Sequence, residues 1–136
     1  MSSITFRSSI IKGLIAGVSS AIINIILYYA FKNLGALNDS VEVQPGSTLG
    51  VHHVMFSSIS FSLVASIVFF IISIFAREAY RMFQRLAWIL LALSFLNPFL
   101  FIPDVPVGFA ISLNIMHIVV AAAVMYVMKK YIPFLP

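Results

Sequence analysis

Long uninterrupted apolar stretches, rather than an alternation of apolar and polar positions, dominate the chain. A helix rises 1.5 Å per residue, so about 20 apolar residues cover the roughly 30 Å of hydrocarbon in a bilayer. Four stretches reach that length: about residues 10–31, 49–75, 83–102 and 108–128. The pattern predicts an all-α membrane protein, a single integral membrane domain over 1–136. Its four transmembrane helices run up and down as a bundle, because short connections make neighbours antiparallel. The one connection of appreciable length, 32–48, carries Gly35, Asn38-Asp39-Ser40, the alternation Val41-Glu42-Val43-Gln44 and the turn signal Pro45-Gly46, so a short extended piece is expected there. Near the end of the third stretch, Asn97-Pro98 predicts a bend, since proline removes a donor and frees a carbonyl in the preceding turn. That carbonyl is a candidate ligand contact, and Pro103 and Pro106 stiffen the turn that follows.

Composition agrees with lipid as the solvent. Hydrophobic residues make up 62% and charged ones 9%, with a mean hydropathy of +1.10, whereas soluble domains carry about 45–50% and about 25%. A soluble enzyme, a nucleic-acid-binding domain, a disordered linker and a disulfide-stapled module are thereby disfavoured, the last also because there is no cysteine. The net charge of +4 forms no patch for nucleic acid but sorts by side. Arg7 precedes the first stretch and Lys12 interrupts its first turn, Arg77, Arg81 and Arg85 lie at the junction of the second and third, and Lys129 and Lys130 follow the fourth. The other side holds Lys32 with Asp39, Glu42 and Asp104. This asymmetry predicts a multi-pass protein of the cell (cytoplasmic) membrane with both termini cytoplasmic. Tyr28, Tyr29, Trp88, Tyr126 and Tyr131 are expected near span ends, where amphipathic rings settle. The first stretch is too long for a secretory signal and has bulky tyrosines at its exit, so it is expected to remain as a helix.

Small residues suggest how the helices meet. Gly13, Gly17 and Ala21 recur every four residues in the first helix, and Ser58, Ser62 and Ser66 do so in the second. Such stripes let backbones approach where lipid supplies no hydrophobic drive, and serine hydroxyls can bond back to their own helix. The same Gly-x-x-x-Gly spacing occurs at dimer faces, so a homo-oligomer through the first helix stays open.

The few polar groups at depth gather in one layer. Counting inward, Asn24 and Ser57 lie roughly 10 Å down, Ser94 and Asn97 roughly 6–12 Å, and Asn114 and His117 roughly 9–14 Å. Ala110, Asn114, His117 and Ala121 share one helical face. Two readings stand: interhelical glue that fixes register, or a pocket open to the outside and formed by Asn24, Ser57, Asn97, Asn114 and His117. His117 is the residue to mutate first. His52 and His53, being adjacent, should point about 100° apart and not chelate one metal. No metal site or cofactor is expected, and no catalytic constellation is visible: no thiol, no carboxylate at depth, no phosphate loop and no nucleophile elbow.

A basic amino terminus, an outer loop with Pro45-Gly46, an arginine-rich inner loop, a third helix ending Ser94-Phe95-Leu96-Asn97-Pro98 and a fourth containing Met116-His117-Ile118-Val119 resemble a family of small four-helix bacterial integral membrane proteins of unknown function. The resemblance covers nearly the whole chain. It implies a bacterial cytoplasmic membrane protein, draws interest to His117 and Pro98, and supplies no activity. The expected function is non-enzymatic: an accessory subunit or a small-ligand-binding bundle working through the layer around His117. Its expected partners are the lipid bilayer and a membrane protein or second copy, not nucleic acid. The alternatives are a channel or transporter subunit for a small solute, acting as an oligomer, and a haem or quinone redox carrier.

Overall fold

Each apolar run folds into helix and stops where capping residues and glycines punctuate the sequence. The computed structural model describes residues 4–131; the ends of the single domain expected over 1–136, and the side chain of Tyr131, lie outside the described residues. Helix α1 (Phe6–Asn33) begins with a capping box: Thr5 Oγ1 accepts from the Ser8 N–H at 3.1 Å, and Ser8 Oγ accepts from the Thr5 N–H at 3.2 Å. It ends in a Schellman motif, with Ala36 N–H on the Phe31 carbonyl, Gly35 N–H on that of Lys32, and Gly35 at φ 82°. That left-handed backbone is open to glycine without steric cost. The expected extended piece is a small antiparallel hairpin of β1 (Glu42–Gln44) and β2 (Ser47–Thr48), turned by Pro45 and by Gly46 at φ 77°. Four more helices follow: α2 (Val51–Phe75), α3 (Ala79–Ser94), α4 (Asn97–Phe101) and α5 (Val107–Tyr131).

Three helices, α1, α2 and α5, are long and apolar enough to cross a membrane. The third expected span, 83–102, is not one helix. It divides into α3 and the five-residue α4, with Phe95 and Leu96 between them. Pro98 has no N–H to give to the Ser94 carbonyl, and the last turn of α3 closes instead with shorter-range bonds, Phe95 N–H to Ala92 and Leu96 N–H to Leu93. At 16 residues, α3 is about 24 Å long, less than the hydrocarbon thickness. Three single residues also depart from expectation. Lys12 lies in the second turn of α1, which begins four residues before the expected stretch, and is buried at 2% exposure. Tyr28 is buried, its hydroxyl donating to the Leu49 carbonyl at 3.1 Å. Trp88 sits in mid-α3 and is exposed.

Polarity is sorted the opposite way to that of a soluble protein. The covered face of α1 presents Ser9, Lys12, Gly13, Gly17, Ser20 and Asn24, while Ile11, Leu14, Ile22 and Ile26 point outward. On α2, Ser58, Ser62 and Ser66 are covered and Phe56, Phe61 and Ile74 exposed. Apolar side chains are at ease in lipid, and polar ones find partners inside. Two apolar clusters close the ends of the bundle. One, near the termini, includes Phe69 and Phe83, edge to face at 5.2 Å. The other, beneath the hairpin, joins Leu37 and Val41 to Tyr28, Val54 and Phe109.

The dominant contact joins α1 to α2, with α1 against α5 next; α3 touches α2 and α5 over much less surface. A Cβ added at Gly13 falls 2.6 Å from Ser66 Oγ and 2.7 Å from Ser66 Cβ, and one at Gly17 falls 3.0 Å from the Ile59 Cα. The small-residue face of α1 is thus filled by α2 of the same chain. Gly13→Ala forces the two helices apart and should cost about 1–3 kcal/mol, the usual range for overpacking. The expected readout is a lower thermal unfolding midpoint in detergent, with Ser19→Ala on the exposed face unchanged.

Candidate functional site

Helix α1 brings Asn24 to the centre of the bundle because it continues the buried stripe one turn beyond Ser20 and Ala21. Asn24 Nδ2 donates to Ser58 Oγ at 3.0 Å and to the Met116 carbonyl at 3.3 Å, so one side chain joins α1, α2 and α5. Its Oδ1 is buried without a hydrogen-bond partner. Around it the serines bond to their own helices: Ser20 to the Gly17 carbonyl, Ser62 to that of Ser58, and Ser66 to that of Leu63. These hydroxyls line a close interface without needing partners across it.

The other polar residues divide. Ser57 Oγ donates to the His53 carbonyl at 2.7 Å and Ser94 Oγ to that of Leu91 at 2.7 Å, both within their own helices. Asn114 Nδ2 donates to the Phe95 carbonyl at 3.3 Å, holding α5 against the break that ends α3. The Phe95 carbonyl at this break therefore meets protein, whereas the carbonyl that Pro98 leaves without its helical donor is that of Ser94. His117 Nδ1 is buried without a hydrogen-bond partner, and Asn97, at the start of α4, is exposed.

A cavity of about 630 Å³ lies between α2, α3 and α5. Asn24, Ser57, Asn97 and His117 reach its wall, joined by Ser94; Asn114 does not line it. Sequence reasoning missed that Gln44 of β1, His52 and His53 cover the hairpin end of the cavity. The return of the hairpin to α2 puts them there, and no spacing signal in the sequence marks it. The two histidine rings do not diverge: their centroids are 4.0 Å apart at 37°. His53 turns back to cap α2, its Nδ1 accepting the Gly50 N–H at 2.9 Å, and thereby stands beside its neighbour. Among the described residues, no three His, Asp or Glu side chains gather as a metal group.

Lys12 is a second polar feature at depth. Its Nζ lies 5.9 Å from the centre of the Phe69 ring, has no hydrogen-bond partner among the described residues, and sits one turn from Ser9, whose Oγ is likewise unpartnered. Ring faces attract ammonium groups at this range. Its position in the hydrophobic stretch was legible in the sequence; its burial was not.

The model of a family of unknown function, DUF6069, matches residues 4–132. No match appears among curated proteins or among solved structures. The matched segment takes in the hairpin, the α1–α2 interface and every residue around the cavity. With nearly the whole sequence covered, the chain belongs to the DUF6069 family of unknown function.

Proposed function

We propose that the protein is a non-enzymatic, polytopic membrane bundle that holds a small molecule in the cavity between α2, α3 and α5. The carrying observation is the cavity itself: about 630 Å³, apolar over most of its wall, with Asn24, Ser57, Asn97 and His117 among the residues that line it. Largely apolar pockets of about 300–1,000 Å³ with a few placed polar groups are the usual form of small-ligand sites. No Asp, Glu, Lys or Arg lines it, and the Ser57 hydroxyl is committed to the His53 carbonyl, so the wall is suited to holding a molecule and offers no nucleophile activated by a base.

In this reading α1, α2, the broken α3–α4 segment and α5 alternate across a bacterial cytoplasmic membrane, with the hairpin outside and both termini cytoplasmic. Charge supports it. Arg7, Arg77, Arg81, Arg85, Lys129 and Lys130 fall toward the termini end, while Lys32 near the hairpin is paired with Asp39 at 3.6 Å. Because α2 fills the glycine face of α1, a second copy or partner protein would use another surface.

Two experiments test these statements. Intact-mass measurement of the protein purified in mild detergent should show a retained small molecule that Ala121→Phe, which fills the cavity wall, removes; identical spectra for both proteins overturn the binding reading. For topology, the cysteine-free chain is a ready background. Asp39→Cys should react with an impermeant thiol reagent in intact cells, and Arg81→Cys only after the membrane is opened. The reverse pattern inverts the orientation.

A further inference from the structure

Resting on the cavity reading above, we infer that the occupant is a neutral, single-chain amphiphile with a hydroxyl head, which enters sideways from the bilayer between α2 and α3. The lips of the cavity set the route. Phe56, Phe61 and Val64 of α2 and Leu90 of α3 line it and are 74%, 59%, 57% and 53% exposed, whereas Met116 and Val124 on the α5 wall are buried. A mouth bordered by exposed apolar side chains faces lipid tails, not water. Helix α3 gives way at this point: it is the least extensively packed of the long helices, and it has no glycine with which to approach α2 closely.

Polarity along the cavity sets the orientation. Gln44, His52, Ser57, Ser94 and Asn97 stand at the hairpin end. Val64, Val68, Phe83, Leu86 and Val124 line the part nearer the termini. A molecule lying along this gradient has its head level with the hairpin and its tail toward the bilayer centre. A volume of about 630 Å³ is in the range that takes one drug-sized ligand, which suits one chain and not a two-chain lipid. With no Lys or Arg in the wall, a phosphate head would be buried without a counter-charge.

Hydrogen-bond accounting selects the head group. Ser57 and Ser94 have spent their protons on carbonyls of their own helices, which leaves their oxygens as acceptors. The side-chain amides of Gln44 and Asn97 add donors at the same end, so this wall offers both kinds of partner. A hydroxyl both donates and accepts and so meets both kinds, whereas a carboxylate or a quinone only accepts and leaves the serine oxygens unmet.

The test is native mass spectrometry of the full chain in detergent, with oleyl alcohol, monooleoylglycerol, oleate and a decyl-chain quinone as probes. The first two should be retained roughly fivefold to tenfold better than the others, about one hydrogen bond's worth. Between them, the alcohol and the glycerol ester distinguish a simple alcohol from a glycerolipid as the source of the hydroxyl. Ala87→Phe, which fills the cavity from α3, should abolish retention. The double variant Ser57→Ala, Ser94→Ala, which removes only hydroxyls bonded within their own helices, should weaken the two hydroxyl probes several-fold and leave the quinone unchanged. All variants should elute as the parent protein does. If oleate or the quinone is held as well or better and is lost in Ala87→Phe, or if the hydroxyl preference survives the double substitution, the head-group assignment falls and the cavity reading stands. If Ala87→Phe changes nothing for any probe, both fall.

Discussion

The close approach of α1 to α2 is the contact on which the remaining packing depends. In lipid two apolar helices gain little by touching, so an interface must come from dispersion at short range and from polar groups with nowhere else to go. Gly13 and Gly17 meet this requirement by having no side chain where Ser66, Ser62 and Ile59 arrive. The serines meet it by spending their hydroxyls on their own helix. Once the two backbones are that near, Asn24 reaches both Ser58 and the Met116 carbonyl, and α5 is drawn against the pair. Truncating Asn24 would remove both bonds that join the three helices, while enlarging either glycine would remove the geometry that makes those bonds possible.

What holds α1 and α2 together is missing from α3, and this difference produces the cavity. The faces that α3 turns inward carry Phe83, Leu86, Ala87 and Leu91, mostly too large for close backbone approach. Its end is cut short by Pro98, and the bond that α5 makes there, Asn114 to the Phe95 carbonyl, ties α5 to the break and not to the helix body. A helix held at its ends and loosely along its length leaves space beside it. The two apolar clusters close the bundle at the hairpin and at the termini, so that space is confined to the middle and to the flank between α2 and α3.

Much of the fold was legible because one-dimensional signals determined it. The apolar stretches marked α1, α2 and α5, the Pro45-Gly46 turn marked the hairpin, and the four-residue spacing of Gly13 and Gly17 marked the face that α2 covers. The break in the third stretch was half legible: Pro98 announced a bend, but whether the chain bends or stops depends on how the two residues before it close the turn. The candidate site was read less completely. Asn24, Ser57, Asn97 and His117 share a wall because depth along a helix is countable from sequence. Asn114 falls outside it, since a rotation of a few tens of degrees about α5 turns a side chain from a cavity to a neighbouring backbone. Gln44 and His52 depend on how the hairpin folds back, a tertiary fact that no periodicity carries.

The polar face of α1 bears on how such a protein is made. A lysine at the centre of a lone helix opposes insertion by about 2.5–3.5 kcal/mol and by less toward an end; α1 carries Lys12 in its second turn, on the same face as Ser9, Ser20 and Asn24. Alone in the bilayer that face would meet acyl chains; against α2 it is covered, with Lys12 over the Phe69 ring. The smallest piece of this chain that covers this face is therefore the α1–α2 pair. During synthesis the first helix, apolar enough to cross by itself, would keep its polar face uncovered until the second has emerged to shield it.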